Sequence, residues 1–377
     1  EREQLRVGVV APRTLFAQKG VAVAAEVRPY MIAAAEALNS YVGWGNTIRI
    51  AGGIVLAVAG ALLGLARIAP QMRARNAVET AVRYILILAS SIAILTTFGI
   101  VMSLVYESLV FFSEISPIDF FFGTVWDPRF AAAGAEGQHG RYGLLPLLWG
   151  TLYISLIALL IAVPIGLFAA IYLSEYATSR VRAWAKPALE VLAGIPTIVY
   201  GFFALTTVGP LIRDFIAIPL DLSNSGSSVM TAGVVMGIMI IPFVSSLSDD
   251  IINSVPQSLR DGAYALGATR AETVKQVVLP AALPGIVGAV LLAASRAIGE
   301  TMIVVLAAGV ATRISLNPFL EMTTITVKIV SQLTGDTEFT SPQTLVAFAL
   351  GLTLFAVTLS MNVYALHIVR KYREQYE

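Results

Sequence analysis

Seven long runs of apolar residues, almost free of charge, constrain this chain more than any other feature. They cover about residues 50–66, 84–106, 144–174, 191–212, 222–248, 284–311 and 343–366. A helix needs about 20 mostly apolar residues to cross the hydrocarbon core of a bilayer, whereas a strand of a membrane barrel needs about ten that alternate in polarity. The runs are long and do not alternate. The sequence therefore predicts an all-α, polytopic membrane protein.

The composition supports a membrane location and excludes several classes of function. Hydrophobic residues make up 57% of the 377-residue chain and charged residues 13%, against roughly 25% charged residues in soluble domains. The net charge of +1 disfavours nucleic acid as a partner. Cysteine is absent and the two histidines lie far apart in the sequence, so we predict neither a disulfide nor a metal site.

Lysine and arginine residues predict how the chain is oriented in the membrane. They concentrate in alternate loops, near residues 67–83, 180–186, 260–275 and 370–373. Because such an excess marks the cytoplasmic side of a membrane protein, we place these loops in the cytoplasm.

We divide the chain into four segments. They are an extracytoplasmic N-terminal segment (1–47), an extra transmembrane helix (48–69), a cytoplasmic linker (70–81) and a six-helix domain (82–377) with a cytoplasmic loop at 250–283. Residue 1 is glutamate and not methionine, so we expect the natural N-terminus to lie upstream. A further helix ahead of residue 1 would return that terminus to the cytoplasm. The role of residues 1–47 stays open between an assembly surface and a contact for another protein.

Prolines and glycines mark bends and close contacts within the spans. Proline stands inside apolar runs at positions 164, 196 and 242, where each removes a helical hydrogen bond and favours a kink. Gly233 and Gly237 have the four-residue spacing of a helix-packing motif, which we interpret as packing and not as a specific dimer seam. We expect Pro280 to turn the chain back toward the membrane.

The loop at 250–283 carries the signals of two short helices joined at a glycine. Ser254, with a glutamine three residues on, has the spacing of a capping box, and Thr269 with Glu272 has the same spacing. Gly267 suits the left-handed position that follows the end of a helix. We therefore predict a rigid knob that can transmit a rigid-body push.

Two charged residues fall inside the sixth apolar run. Arg296 lies near the middle of the predicted span, where a charge is costly and usually faces a protein interior or a water-filled path. Glu300 follows four residues later, on the same face if the helix continues. Either the two side chains form a self-neutralising pair, or Arg296 lines a pathway and meets an anion, since its guanidinium matches an oxyanion bidentately. We interpret Asp249 and Asp250 as solvated charges at the membrane boundary.

The loop resembles the cytoplasmic coupling loop of binding-protein-dependent ABC importers. The resemblance covers the acidic residue, the small residues, the glycine and the Leu-Pro that follow that family's spacing, although Asp-Gly-Ala replaces the usual Glu-Ala-Ala opening. It assigns ATPase coupling to these residues: Asp261, Gly262, Ala263, Gly267, Thr269, Glu272, Leu279 and Pro280. Residues 250–283 are called the coupling loop below.

Three further runs narrow the resemblance to the phosphate-specific ABC permeases, and among them to the PstC type. These are ASRAIGETMIV from Ala294, YALGAT within the coupling loop, and GIPTIVYGFFA at 194–204. The similarity covers residues 82–377, and the N-terminal portion resembles a longer variant of that subunit. It implies a six-helix importer permease core, with at least one extra N-terminal helix, and a substrate pathway that includes Arg296 and Glu300.

The same resemblance implies a set of partners in the bacterial inner membrane. They are a second homologous permease of the PstA type, an ATPase dimer of the PstB type and a periplasmic phosphate-binding protein of the PstS type. ATP and Mg would be bound by the ATPase and no cofactor by this chain. The sequence itself contains no G-x-x-x-x-G-K-[ST] loop for nucleotide phosphates, so we do not expect the chain to be an enzyme.

Three alternatives differ in what they require. A permease for another oxyanion, such as sulfate or molybdate, would share the coupling loop but not the RAIGET run. An autonomous ion-coupled transporter or channel would transport without ATP. A non-transporting scaffold would have no need of Arg296 and Glu300 inside a span.

Overall fold

Helices make up nearly all of the computed structural model, which describes residues 29–67, 74–128, 140–335 and 341–373. The chain divides near residue 91 into two compact units. The α-helices, in chain order, are α1 Pro29–Arg67, α2 Ala74–Glu114, α3 Pro117–Phe122, α4 Leu145–Ile171, α5 Ser179–Ala193, α6 Thr197–Phe203, α7 Gly209–Ile212, α8 Val229–Ser254, α9 Gln257–Ala265, α10 Arg270–Thr273, α11 Leu279–Ile298, α12 Met302–Ala307, α13 Ile325–Gly335 and α14 Pro342–Arg373.

Short π-helical segments and one small hairpin complete the secondary structure of the described residues. The π-helical segments directly follow α4, α6, α7 and α10, at Tyr172–Tyr176, Ala204–Val208, Arg213–Ala217 and Val274–Val278. Two strands of two residues each, β1 Trp126–Asp127 and β2 Arg141–Tyr142, pair antiparallel. The predicted all-α class is confirmed.

Seven helical segments among the described residues are long and apolar enough to cross a membrane. They are Ser40–Ala66, Val78–Glu114, Leu145–Tyr176, Thr197–Ala217, Val229–Ser254, Arg270–Ile298 and Pro342–Ile368. These seven comprise one N-terminal span and six further spans, which agrees with the predicted architecture. Helix α1 begins at Pro29, inside the predicted outer segment; residues 1–28 of that segment and 70–73 of the predicted linker lie outside the described residues.

The sixth span differs from the predicted run at 284–311. It begins at Arg270, inside the coupling loop, and ends at Ile298, where Gly299 caps the helix. A short helix, α12, follows after a three-residue break. Gly299 takes the C-cap position, so α11 ends there although the sequence remains hydrophobic.

Helices α4 and α8 form the centre of the larger unit and approach each other at glycines. A Cβ atom on Gly233 would lie 2.6 Å from Cγ2 of Ile157, and one on Gly237 would lie 3.0 Å from the carbonyl oxygen of Ala158. Only glycine allows this separation of the two backbones. The Gly-x-x-x-Gly spacing is thus confirmed as packing, within this chain.

An aromatic cluster closes the end of the larger unit that carries the hairpin. Tyr142 is buried there beside Phe111 and Trp126, with edge-to-face ring contacts at 5.7 and 5.8 Å. Burial, with a smaller contribution from the negative charge of Glu114, raises the pKa of Tyr142 to about 12. Its hydroxyl has no hydrogen-bond partner within the described part of the chain.

Candidate transport pathway and coupling site

The coupling loop folds as two helical segments that meet at Gly267. Helix α9 ends at Ala265, and Gly267 follows with φ +86°, the left-handed conformation that glycine adopts at little cost. Thr269 then caps α10, since its hydroxyl accepts the backbone N–H of Glu272 and the Glu272 carboxylate accepts the backbone N–H of Thr269. The predicted glycine and the second capping box are confirmed.

The first predicted capping box was wrong. Helix α8 continues through Ser254, whose hydroxyl donates a hydrogen bond to the carbonyl oxygen of Ile251. The next helix begins after Pro256, which has an extended conformation and no side chain able to cap. Ser254 therefore belongs to the last turn of a helix and not to the first turn of the next.

Pro280 does not turn the chain. It lies in the first turn of α11, and α10, the π-helical segment Val274–Val278 and α11 follow one another without a gap. Proline has no N–H group to donate. It is tolerated there because the preceding π-helical turn interrupts the regular pattern of α-helical hydrogen bonds. One uninterrupted helical path consequently connects Thr269 to Ile298.

The predicted coupling residues divide between the loop surface and its base. Five are exposed, Ala263 is buried, and the last two are half-buried at the start of α11. Three exposed apolar side chains beside them were not predicted from the sequence: Leu266 is 92% exposed, and Leu259 and Tyr264 are also exposed. Large apolar side chains exposed within one short loop are typical of a protein contact.

A buried ion pair, not predicted from the sequence, fixes α9 to the helices above it. Arg260 on α9 donates hydrogen bonds from Nε and Nη2 to Glu175 Oε1, at 3.2 and 2.9 Å. Both side chains are buried, at 8% and 6% exposed. Glu175 lies in the π-helical segment that extends α4, 85 residues away in sequence, and no local pattern links the two.

A second charge cluster lies nearby and corrects the interpretation of Asp249. Its carboxylate is buried, at 1% exposed, and accepts hydrogen bonds from Arg182 at 2.9 Å and Lys186 at 2.9 Å, both on α5. The hydrogen bond to Asp249 raises the pKa of Lys186. Asn253 donates a further hydrogen bond to Asp249. Only Asp250, which is exposed, resembles the solvated boundary charge that was predicted for both aspartates.

Arg296 lies in the last turn of α11, two residues before the end of the span and not near its middle as predicted, and its side chain is exposed. Its Cζ atom lies 5.9 Å from the ring centroid of Phe243 on α8, within the range of a cation–π contact. Among the described residues no carboxylate forms an ion pair with it and no acceptor binds its guanidinium. The cation thus lies beside an aromatic ring, and the part of the chain that the structure describes offers its hydrogen-bond donors no acceptor.

Glu300 is not paired with Arg296, so the predicted self-neutralising pair is absent from this structure. Because α11 ends at Ile298, the two residues do not share a helical face. The buried Glu300 carboxylate accepts the backbone N–H groups of Thr301 and Met302, each at 3.1 Å. Thr326 on α13 donates to the Glu300 carbonyl oxygen at 2.9 Å. Glu300 therefore fixes the helix break that follows Arg296.

Comparisons with known proteins give the family of the chain. A family model described as binding-protein-dependent transport system inner membrane component matches residues 162–374. The phosphate transport system permease protein PstC of Xylella fastidiosa is 34% identical over 273 residues, which is 68% of this chain and 82% of that protein. The phosphate transport system permease protein PstC 1 of Mycobacterium tuberculosis is 36% identical over 282 residues, or 68% and 83%.

A solved structure shares the fold. It is the crystal structure of a bacterial alginate ABC transporter in complex with an alginate pentasaccharide-bound periplasmic protein. The similarity has a TM-score of 0.52 at 16% identity and covers 79% of this chain and 97% of the chain in that structure.

Proposed function

The chain belongs to the family of binding-protein-dependent transport system inner membrane components, and we propose that it is the permease subunit of an ATP-driven importer of inorganic phosphate. It is a multi-pass protein of the inner membrane. Phosphate is favoured over sulfate or molybdate because the relatives that match over two thirds of this chain carry phosphate permease names.

One observation carries the proposal: the exposed Arg296, without an anionic partner among the described residues, lies on the same helical path as the coupling loop. A cation inside a span is costly unless it is compensated. Phe243 provides partial compensation from one side, and an oxyanion would provide it from the other. Arginine binds phosphate oxygens through its fork of N–H donors. A transient anion contact fits a pathway, since conduction requires release as well as binding.

The mechanism that we propose is alternating access driven by partner subunits. A phosphate-binding protein of the PstS type delivers the anion, and a second permease of the PstA type forms the other half of the path. An ATPase dimer of the PstB type binds ATP and Mg and contacts the exposed residues around Gly267. Movement of the coupling loop is carried to Arg296 along α10, the π-helical segment and α11.

Replacement of Arg296 tests the proposal. The transporter, assembled with its three partners in proteoliposomes, is assayed for ATP-dependent uptake of labelled phosphate. A hydrogen bond to a charged group contributes about 1.5–3 kcal/mol, so loss of the guanidinium in R296A should lower the affinity for phosphate in the path by roughly 10- to 150-fold and abolish measurable uptake. R296K, which keeps the charge but loses the bidentate geometry, should retain part of it.

The matched control is R180Q, which removes an exposed arginine from α5 and should transport normally. Wild-type uptake by R296A would refute the anion contact. Uptake of sulfate or molybdate in preference to phosphate by the parent transporter would instead favour the other oxyanion permeases, and uptake by this chain alone without ATP would favour an autonomous transporter.

A further inference from the structure

Arg260 donates hydrogen bonds to two backbone carbonyl groups as well as to Glu175. Besides the two donated to Glu175, Nη1 donates to the carbonyl oxygen of Val255 at 2.6 Å and Nη2 donates to that of Ile252 at 2.8 Å. Ile252 lies in the last turn of α8 and Val255 caps it. One side chain of α9 is therefore bonded to the end of α8 and, through Glu175, to the π-helical extension of α4.

The end of α8 is a natural place for this cation. The last carbonyl groups of a helix have no partner within the helix and carry a partial negative charge. Arginine can serve two of them and a carboxylate together because its guanidinium presents five N–H donors in one plane. Glu175 neutralises the charge, and a buried cation with a hydrogen-bonded carboxylate is tolerated where an unpaired one is not.

Few side chains of α9 are buried, although the helix also packs against α10 and the π-helical segment Val274–Val278. Within this helix only Arg260 and Ala263 are buried, and an alanine contributes little apolar area. The helix is flanked by Pro256 on one side and by Gly267 on the other, so the backbone at both ends lacks regular helical continuity. The position of α9 against α4 and α8 consequently depends on the Arg260 contacts.

We propose that Arg260 is a positioning residue for coupling, which makes α9 move as one body with α4 and α8. The inference rests on the proposed function. Phe243, the residue against Arg296, lies on α8 nine residues before Ile252, or roughly 13.5 Å along the helix axis at 1.5 Å per residue. Arg260 thus gives the coupling loop a second connection to Arg296, separate from the helical path through α10 and α11.

The experiment must separate coupling from stability, because removing one member of a buried pair leaves the other uncompensated. The variants are R260M, the double variant E175Q/R260M and the control R180Q, each in the complete transporter. The double variant has no buried unpaired charge, and its methionine replaces the apolar stem of the arginine. Two quantities are measured: the thermal midpoint of the assembled complex, and the stimulation of ATPase activity by the phosphate-loaded binding protein over the basal rate.

We expect R260M to lower the thermal midpoint and to lose stimulation by roughly 5-fold or more, the smaller end of typical coupling between sites. The double variant should recover the midpoint and still lack stimulation, while R180Q matches the parent in both. Recovery of both quantities in the double variant would overturn the proposal, because it would assign Arg260 a purely structural role.

A third variant decides the case if the double variant does not assemble. R260K keeps the charge opposite Glu175, but a single ammonium nitrogen with three donors cannot replace four hydrogen bonds that a planar guanidinium spreads over three acceptors. Its stimulation should therefore fall while the complex remains assembled. Unchanged stimulation in R260K would refute the proposal. The proposed function fails separately, since its failure would appear as absent stimulation by phosphate in the parent transporter.

Discussion

The same substitution at two glycines of the coupling loop should act in opposite directions. Gly262 lies inside α9, and Gly267 follows that helix with φ +86°. At both positions the space around a new Cβ is open, with no neighbouring atom within 4 Å. Neither G262A nor G267A therefore creates a clash or a new packing contact, and the backbone conformation alone determines the difference between them.

The magnitudes follow from the two conformations. In a helix interior, alanine is more stable than glycine by about 0.5–1 kcal/mol, so G262A should stabilise α9. In the left-handed region, a residue with a Cβ costs roughly 1–2 kcal/mol, so G267A should destabilise the junction between α9 and α10. The two variants, five residues apart, should differ by roughly 1.5–3 kcal/mol in local stability.

Hydrogen exchange measures this local stability directly, because amides in a segment exchange through its opening. The assembled transporter is followed by mass spectrometry on peptides that cover residues 257–273. A change of one or two kcal/mol alters an opening equilibrium by about 5- to 30-fold. G267A should therefore speed exchange in this segment by that factor, and G262A should slow it by up to about fivefold.

Equal or slower exchange in G267A would refute the requirement for a left-handed residue at this position. G267N supplies an internal check, because asparagine adopts left-handed conformations more readily than alanine, and its exchange should fall between those of the parent and G267A. Peptides from α14, far from the loop in sequence, should exchange alike in all variants.

Two further outcomes are expected. G233A places a Cβ atom 2.6 Å from Ile157, and such overpacking costs about 1–3 kcal/mol. The thermal midpoint should therefore fall, and it should recover in part when I157A is added. If it did not recover, the strain would lie elsewhere. Y142F should flatten the alkaline loss of stability: the pKa of Tyr142 is raised from 10.0 to about 12, so its contribution is complete below pH 10 and disappears as the pH rises through 12. Thermal midpoints from pH 7 to 12 test this, and an unchanged pH dependence would contradict it.

Helix ends were predicted correctly from the sequence where they depend only on residues close by in the chain. Gly267 and the Thr269–Glu272 capping box depend on residues within one turn, and both formed as predicted. Ser254 carried a similar signal, but α8 extends through it and uses its backbone in a continuing helix. The capping pattern contains no information on whether the preceding helix has already ended.

The prediction that Arg296 pairs with Glu300 was wrong for a related reason. A spacing of four residues places two side chains together only in an uninterrupted helix, and α11 ends at Ile298. Gly299 caps α11, and the burial of Glu300 as a cap for the following N–H groups depends on the whole bundle. The Arg260–Glu175 pair joins residues 85 positions apart and follows from tertiary packing alone.

The two connections between the coupling loop and Arg296 act on opposite sides of one contact. In the proposed mechanism, the helical path through α10 and α11 moves Arg296 itself, whereas the Arg260 connection moves α8 and hence Phe243. If α8 and α11 followed the loop equally, Arg296 and Phe243 would move together and the cation–π contact between them would not change. Arg260 attaches α9 to the end of α8, but Gly267 separates α9 from α10 with a left-handed residue outside both helices. In the proposed mechanism, a push on the loop is therefore divided at Gly267, and the difference between the movements of α8 and α11 changes the environment of Arg296.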